Sequence, residues 1–465
     1  MTCSKQYKQG IMELPVLFLL LGLTRVSRSC LDPISAYRFT GAVCRLTYPA
    51  ALVLNEKTAK VIEAAFQHAR YPDMKGEKSL LFVGKVHYNL NNLEIHDLLI
   101  GGSEVELRAN DRIAISISNV SATFRGTMQY GYGSWLIDFG HSVDFEIESH
   151  IDLVVNPKLY CGKDKVAADT SDCYLTFHKL QLILHGDREP GWLKKVFTDF
   201  VTFTVKVVIK SQICKEINKL ADTLADFIQR RAERFLSDGD IGVDVSVVAA
   251  PTLTSNYIES YHKGLTRYNN TSAVIEASAF NPAQLTEDRM IYFWLSDELL
   301  DPLVKAAHLD GRFVRSIGGQ ELADVFEGDL SASRPLLSSE TPLLKTWSVS
   351  VPRLRTTPAG TSVRGVAAVE LTAPSSDLSL YFEAVSWHTT SSERSLFFFP
   401  VLQNIGVYLE RGITTLMNKQ GLDLFEIINP IVLPGEGYVI VQLDFGFPQH
   451  LLVDFLKKTL ESQQL

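Results

Sequence analysis

The chain has 465 residues, 46% of them apolar and 21% charged, with a formal charge of −8. That length allows two or three domains with real cores. The slightly positive mean hydropathy means that something beyond an ordinary core needs apolar lining. The acidic balance excludes nucleic acid, whose phosphates need a basic surface, and weighs against endotoxin and anionic membranes.

The first residues read as a secretory signal. Lys5 and Lys8 supply the positive start, Val16 to Leu23 is an apolar run too short to span a bilayer, and Ser27 and Ser29 suit cleavage before Cys30. No later stretch reaches transmembrane length, so a secreted, extracellular, soluble protein without a transmembrane anchor is expected. Asn119, Asn269 and Asn270 each open an Asn-x-Ser/Thr sequon, the acceptor for glycosylation in a secreted chain. Of six cysteines, Cys3 leaves with the signal. The other five, Cys30, Cys44, Cys161, Cys173 and Cys214, allow at most two bridges, and no Cys-x-x-Cys points to zinc.

Cys44 to Leu54 is apolar and β-branched around Pro49. Asn55 reads as an N-cap for a helix carrying Ala59, Ile62, Ala65, Phe66 and Ala69 on one stripe and ending at Tyr71-Pro72. From Ser79 to Phe177 the period changes to two, as in Arg112-Ile113-Ala114-Ile115-Ser116-Ile117. Turns fall at Gly101-Gly102, Gly131 to Gly133 and Asn156-Pro157, so this stretch is a run of antiparallel strands with one wet and one apolar face. Trp192 to Ser237 then contains no glycine and no proline, with Ile213, Ile217, Leu220, Leu224, Phe227, Ile228 and Phe235 at helical spacing. Unbroken, it makes a helix about 65–70 Å long at 1.5 Å per residue. Val201 to Ile209 is β-rich by propensity and weakens that expectation locally.

Asp238-Gly239-Asp240 is a turn, because the other ligands of a calcium loop are missing. Ile241 to Val248 alternates as a strand, and the polar stretch Asn269 to Asp288 reads as an exposed linker. The opening plan then recurs. Met290 to Leu295 is a strand, Ser296 caps a helix that Pro302, inside it, should kink and that Asp310-Gly311 ends, and short strands follow from Trp347 to Trp387. Only Asn404 to Asn418 is available as a counterpart of the long helix. After a last strand, Gly437 to Phe445, the chain closes on an amphipathic helix. Its apolar face carries Phe447, Leu451, Leu452, Phe455, Leu456 and Leu460, and Asp454, Lys457, Lys458 and Glu461 hold the other side. The pattern alone suits a helix packed on the core, a movable apolar plug or a membrane-surface element.

No chemistry is legible. Gly-x-Ser-x-Gly, His-Glu-x-x-His, a phosphate loop and Gly-x-Gly-x-x-Gly are all missing, and the histidines have no metal spacing. We therefore expect no catalytic residues, no metal, no cofactor and no enzyme. Secretion, high apolar content, two α+β halves and an amphipathic end suit a carrier of apolar cargo.

Particular stretches carry a resemblance: Cys44 to Thr47 and Asn55 to Ile62, Asp172 to Leu180, Glu189-Pro190-Gly191-Trp192, Gln212 to Asn218, Leu236 to Asp244 and, most specifically, Asp444 to Leu456. In these the chain resembles the tubular lipid-binding family that includes bactericidal permeability-increasing protein and phospholipid transfer protein. The likeness covers nearly all of residues 44–310 and 416–460 and fades between about 320 and 415. The resemblance implies an α+β boomerang of two barrels, each a long helix wrapped by twisted antiparallel sheet, joined by a central sheet around a hydrophobic tunnel. It divides the chain into a signal (1–29), an N-terminal barrel (30–237), a central sheet segment (238–268), a linker (269–289), a shortened C-terminal barrel (290–444) and the terminal helix (445–465). It implies a monomer that exchanges cholesteryl ester, triglyceride and phospholipid between lipoprotein particle surfaces. The alternatives are a phospholipid-only transfer protein and an endotoxin-binding innate-immunity module of the same fold. It also implies a Cys173–Cys214 bridge, a free buried thiol at Cys161, phospholipid contacts at Gln229, Arg231, Ser260 and His262, and a terminal helix that covers a tunnel mouth. The second half departs from the family, being short by a few tens of residues.

Overall fold

The computed structural model describes residues 30–67, 70, 71, 73–80, 84–109, 112–132, 141–185, 191–235, 237, 239–269, 271, 272, 274–319, 343–373, 378–384 and 426–446. The stretches read as a signal and as a terminal helix, and residues 385–425, lie outside them. The architecture is mixed and sheet-rich with few helices.

In the first half, β1 (Ala42–Thr47) leads into α1 (Tyr48–Phe66). Then come β2 (Met74–Leu80), β3 (Gly84–Leu99), β4 (Gly102–Arg108), β5 (Arg112–Tyr132), β6 (His141–Val155), β7 (Lys158–Cys161), β8 (Val166–Asp169), β9 (Cys173–His185) and α2 (Gly191–Phe235). Strands β2 to β9 form one antiparallel sheet with the spine β2-β3-β5-β6-β9; β4 and β7 pair with β5, and β8 pairs with β7. The period-two reading is explicit in β6. Val143, Phe145, Ile147, Ile151 and Leu153 are buried, while Asp144, Glu146, Glu148, His150 and Asp152 alternate with them. The buried face packs on α2 through Ile209, Ile213, Cys214, Ile217 and Leu224, and on Ile62 of α1. Each such side chain, fully buried, is worth about 1.5–3 kcal/mol.

Helix α2 is continuous for 45 residues, about 68 Å. Val201 to Ile209 is helical like the rest, since tertiary packing of an apolar stripe outweighs a weak β propensity. Helix α1 starts earlier than Asn55. Thr47 is its N-cap residue and Pro49 lies in its first turn, where a fixed φ and a missing N–H are no loss. Asn55 instead sits mid-helix and donates to the Ser103 carbonyl at 2.9 Å, pinning α1 to β4.

The chain continues through β10 (Gly242–Asp244), β11 (Thr252–Leu253), β12 (Tyr257–His262), β13 (Leu265–Tyr268), β14 (Thr271–Ser272), β15 (Ile291–Ser296) and α3 (Asp297–Leu309). The Ser296 hydroxyl accepts from the Glu298 N–H at 3.1 Å, so the cap read from sequence is the cap observed. β16 (Val314–Gly318), β17 (Leu343–Ser348), β18 (Arg353–Thr357), β19 (Gly360–Arg364), β20 (Ala367–Ala373), β21 (Leu378–Ala384), β22 (Glu426–Gly435) and β23 (Tyr438–Gly446) complete it. Strands of both halves interleave in a six-stranded sheet, β11-β12-β1-β15-β23-β22.

One face of this sheet carries Val43, Tyr261, Tyr292, Trp294 and Ile440, covered by Ala36, Tyr37, Phe280 and Leu285. The stretch read as an exposed linker is exposed at most of its described positions, but Ile275, Phe280 and Leu285 are buried and anchor it as a strap. Asn281 caps a short 3-10 turn, Pro282–Gln284, with a reciprocal capping box. The strap folds inward because Arg45 lies beneath it. The Arg45 guanidinium donates to the carbonyls of Leu285 at 2.7 Å and Pro282 at 2.9 Å, and a buried cation needs such acceptors.

Candidate functional site

The opposite face of the six-stranded sheet is the candidate site. Alternation puts Ala42, Cys44 and Leu46 of β1 on it, beside Ile258, Ser260 and His262 of β12 and Ile291, Phe293 and Leu295 of β15. Val439, Val441 and Leu443 of β23 continue it. Three helices approach. Ala50, Val53 and Leu54 of α1 pack on Ile291, Leu443 and Phe293. Leu299, Leu300 and Leu303 of α3 pack with Ala42 and with Ala232, in the last turns of α2.

Ser260 and His262 put polar groups into this apolar surface. The His262 ring lies 2.8 Å from the Val245 carbonyl through Nδ1, which only an N–H can satisfy, so Nε2 is left as the acceptor. The Ser260 hydroxyl is 2.8 Å from Nε2 and donates to it. Burial lowers the His262 pKa below the ordinary histidine value, against the smaller raising effect of the Val245 carbonyl. The imidazole is therefore neutral at neutral pH.

Cys44 is flanked by Ser260 and Phe293 across the ladder. Its thiol is free, and burial followed by the charge of Glu259 pushes its pKa up to about 12. A thiol so held is not a nucleophile at neutral pH.

Of the residues expected at a lipid contact, the structure joins Ser260 to His262 by a hydrogen bond. Gln229 lies on α2 less than one turn before Ala232 and donates to Glu233 at 3.1 Å. Ala232 packs with Ala42, whose ladder partner is His262. Arg231 is in the same turn, its side chain outside what is described. Cys173 and Cys214 are bonded, tying β9 to α2. Cys161 is not a free thiol: it is bonded to Cys30, with Cα atoms 6.2 Å apart. The β7–β8 turn and the segment at Leu31 both dock on residues 247–249. Val247 N–H donates to the Asp164 carbonyl and Leu31 N–H to that of Val248, which brings the two sulfurs together. Asn119 is exposed at φ 54° beside a bulge of β5, and Asn269 is exposed at φ 45°. Asn270, Phe447, Leu451, Leu452, Phe455, Leu456 and Leu460 lie outside the described residues.

Two features escaped the sequence reading. The Arg45–Glu259 pair was signalled only by two charges at inward positions of apolar strands. The Cys30 pairing had no local signal. Among the described residues, no cluster of His, Cys, Asp or Glu can hold a metal ion, and no helix is long and apolar enough to cross a membrane.

Comparison with known proteins decides the family. The family described as LBP / BPI / CETP, N-terminal domain, matches residues 52–226. The cholesteryl ester transfer protein of Gallus gallus is 43% identical over 501 residues, covering 97% of this chain and 99% of that one. The chain belongs to the LBP / BPI / CETP family. The Homo sapiens cholesteryl ester transfer protein is 40% identical over 464 residues, with 90% of this chain and 94% of that one covered. The Mus musculus phospholipid transfer protein is 20% identical over 350 residues, 71% and 68% of the two chains.

The alignment of this LBP / BPI / CETP family member with its Gallus gallus relative contains gaps. Since 97% of 465 residues is about 451, about 50 of the 501 aligned positions face gaps in this chain.

Proposed function

We propose that this chain is a secreted lipid transfer protein that exchanges cholesteryl ester and triglyceride, with phospholipid, between lipoprotein surfaces. The observation that carries this is the 40–43% identity to cholesteryl ester transfer proteins along 90–97% of the chain. The proteins named for phospholipid transfer and lipopolysaccharide binding are far less similar.

The physical requirement is a dry passage. A long-chain ester exposes many CH₂ groups, each unfavourable in water by ~0.8 kcal/mol, so a carrier must hold it on apolar walls and open only at a lipid surface. In this reading the helix-facing side of the six-stranded sheet and the inner face of the first sheet, both lined by apolar side chains, serve as such walls. In this reading the apolar interior is one tunnel, and Gln229, Arg231, Ser260 and His262 meet a phospholipid at its neck. Phe447, Leu451, Leu452, Phe455, Leu456 and Leu460 form a helix over the tunnel mouth. Asn119, Asn269 and Asn270 carry glycans. The missing stretch falls in the second half, between about 320 and 415.

Phe455→Asp tests the reading. It puts a charge on the apolar face of the terminal helix, so neutral-lipid transfer is lost while secretion continues. A secreted variant with undiminished transfer overturns the proposed role of that helix.

A further inference from the structure

A second site lies away from both apolar walls. Between the β7–β8 hairpin and α2 is a cleft of about 410 Å³ lined by Lys158, Tyr160, Ala168, Asp169, Asn218 and Asp222. Its size is in the range that holds a small ligand. Its walls are fixed from several sides. The hairpin is tied to Cys30 by the Cys161 bridge. Asn218 accepts from the Thr170 hydroxyl at 2.8 Å and the Thr170 N–H at 3.4 Å, so α2 is fastened to the strand beside it.

No charge lining the cleft closes a salt bridge among the described residues, although Lys158 and Arg112 both lower the Asp169 pKa through space. Lys158 is exposed and makes no salt bridge, although it stands opposite Asp169 in the ladder. Asp222 has no ion pair, whereas Asp226 one turn on is taken by Lys165 at 2.5 Å. Asp169 accepts from the Ser171 N–H at 2.9 Å; that bond and the Ser171 hydroxyl hold its carboxyl below the usual range, so it stays ionised. The Asn218 oxygen is committed to Thr170, so the side chain has its amide N–H groups left to offer. Tyr160 is 44% exposed.

These groups sort into two poles. Lys158 and the Asn218 amide are donors suited to a phosphate. Asp222 and the Tyr160 ring suit a cation, and an aromatic face beside a carboxylate suits a quaternary ammonium group. A bare phosphate would meet two carboxylates, and a bare amine would meet a lysine. A zwitterion with both charges satisfies both poles.

We propose that this cleft binds a phosphocholine-type zwitterion, its phosphate on Lys158 and Asn218 and its quaternary ammonium between Tyr160 and Asp222. The site is independent of the neck contacts, so it stands or falls separately from the transfer reading. It would give the protein a grip on a headgroup at a lipid surface without opening an apolar wall.

Isothermal titration calorimetry of the full chain with O-phosphocholine tests this, with inorganic phosphate and choline chloride titrated alongside. Lys158→Gln, Tyr160→Ala and Asp222→Asn change exposed side chains, and circular dichroism checks that each remains folded. Saturable binding is expected, weakened about tenfold by each substitution as one contact is lost. Inorganic phosphate and choline should each bind at least about tenfold more weakly. Co-sedimentation with phosphatidylcholine vesicles separates the sources. If the substitutions lower vesicle binding too, the headgroup is taken from a lipid surface. If only the calorimetry changes, the ligand is a soluble phosphocholine ester. Absence of saturable binding, wild-type affinity in all three variants, or equal affinity for inorganic phosphate overturns the proposal.

Discussion

Arg45 and Glu259 face each other across the β1–β12 ladder with Nη2 and Oε2 2.6 Å apart and side chains only 3% and 1% exposed. The Tyr261 hydroxyl donates to the other Glu259 oxygen at 2.8 Å, and the Tyr257 ring lies 4.1 Å from the guanidinium. The pair joins the strap to the sheet, so its loss is felt in both.

Removing one partner leaves a buried charge uncompensated. Glu259→Ala should therefore lower stability by about 3–5 kcal/mol, read from urea unfolding. Arg45→Lys should also destabilise, because an ammonium cannot reach both the carboxylate and the carbonyls of Pro282 and Leu285. The exposed pair Lys85–Glu77, with side chains 59% and 58% exposed, is the control. Lys85→Ala should change stability by no more than about 1 kcal/mol. A Glu259→Ala effect no larger than that of Lys85→Ala would show the strap to be held by its apolar residues alone.

Cysteine chemistry separates the two pairings. Peptide mapping without reduction should find Cys30 joined to Cys161 and Cys173 joined to Cys214. Cys44 should resist iodoacetamide in the folded protein at pH 8, since its pKa of about 12 leaves little thiolate, and should react once the chain is unfolded. Alkylation of Cys161 in unreduced protein would contradict the first bridge.

His262 gives a pH dependence. Its folded pKa is depressed by burial, so the unfolded chain binds the proton first as pH falls. The contribution of a neutral His262 is complete above the ordinary histidine range. It is lost as pH drops below about 6.5, until the folded imidazole is also protonated. His262→Gln keeps a hydrogen-bonding side chain that does not titrate. Comparing wild type with H262Q by thermal unfolding at pH 7.5 and 5.0 should show a smaller acid loss in the variant. Equal losses would place the acid sensitivity elsewhere.

How much of this was legible follows from the range of the forces involved. The α2 helix and the strands of the first sheet were readable because period and punctuation are local: no glycine or proline from Trp192 to Ser237, and strict alternation in β6. The Ser296 cap was readable for the same reason. The start of α1 was missed because Asn55 is a good cap in isolation, yet Pro49 upstream had already set the first turn. Cys161 was misread because nothing in its neighbourhood says that β7 ends beside Cys30, 131 residues away. The anchoring of the strap was missed because its polar composition hides what it does for Arg45, a long-range contact. Ser260 and His262 entered through resemblance; their hydrogen bond and the tautomer it fixes required the ladder between β1 and β12.

The most direct test of the central claim is transfer of labelled cholesteryl ester from high- to low-density lipoprotein by the full secreted chain, beside the same chain stopped after Gly446. The account predicts transfer by the full chain and none by the shortened one. A folded, secreted full chain that moves no cholesteryl ester would contradict it.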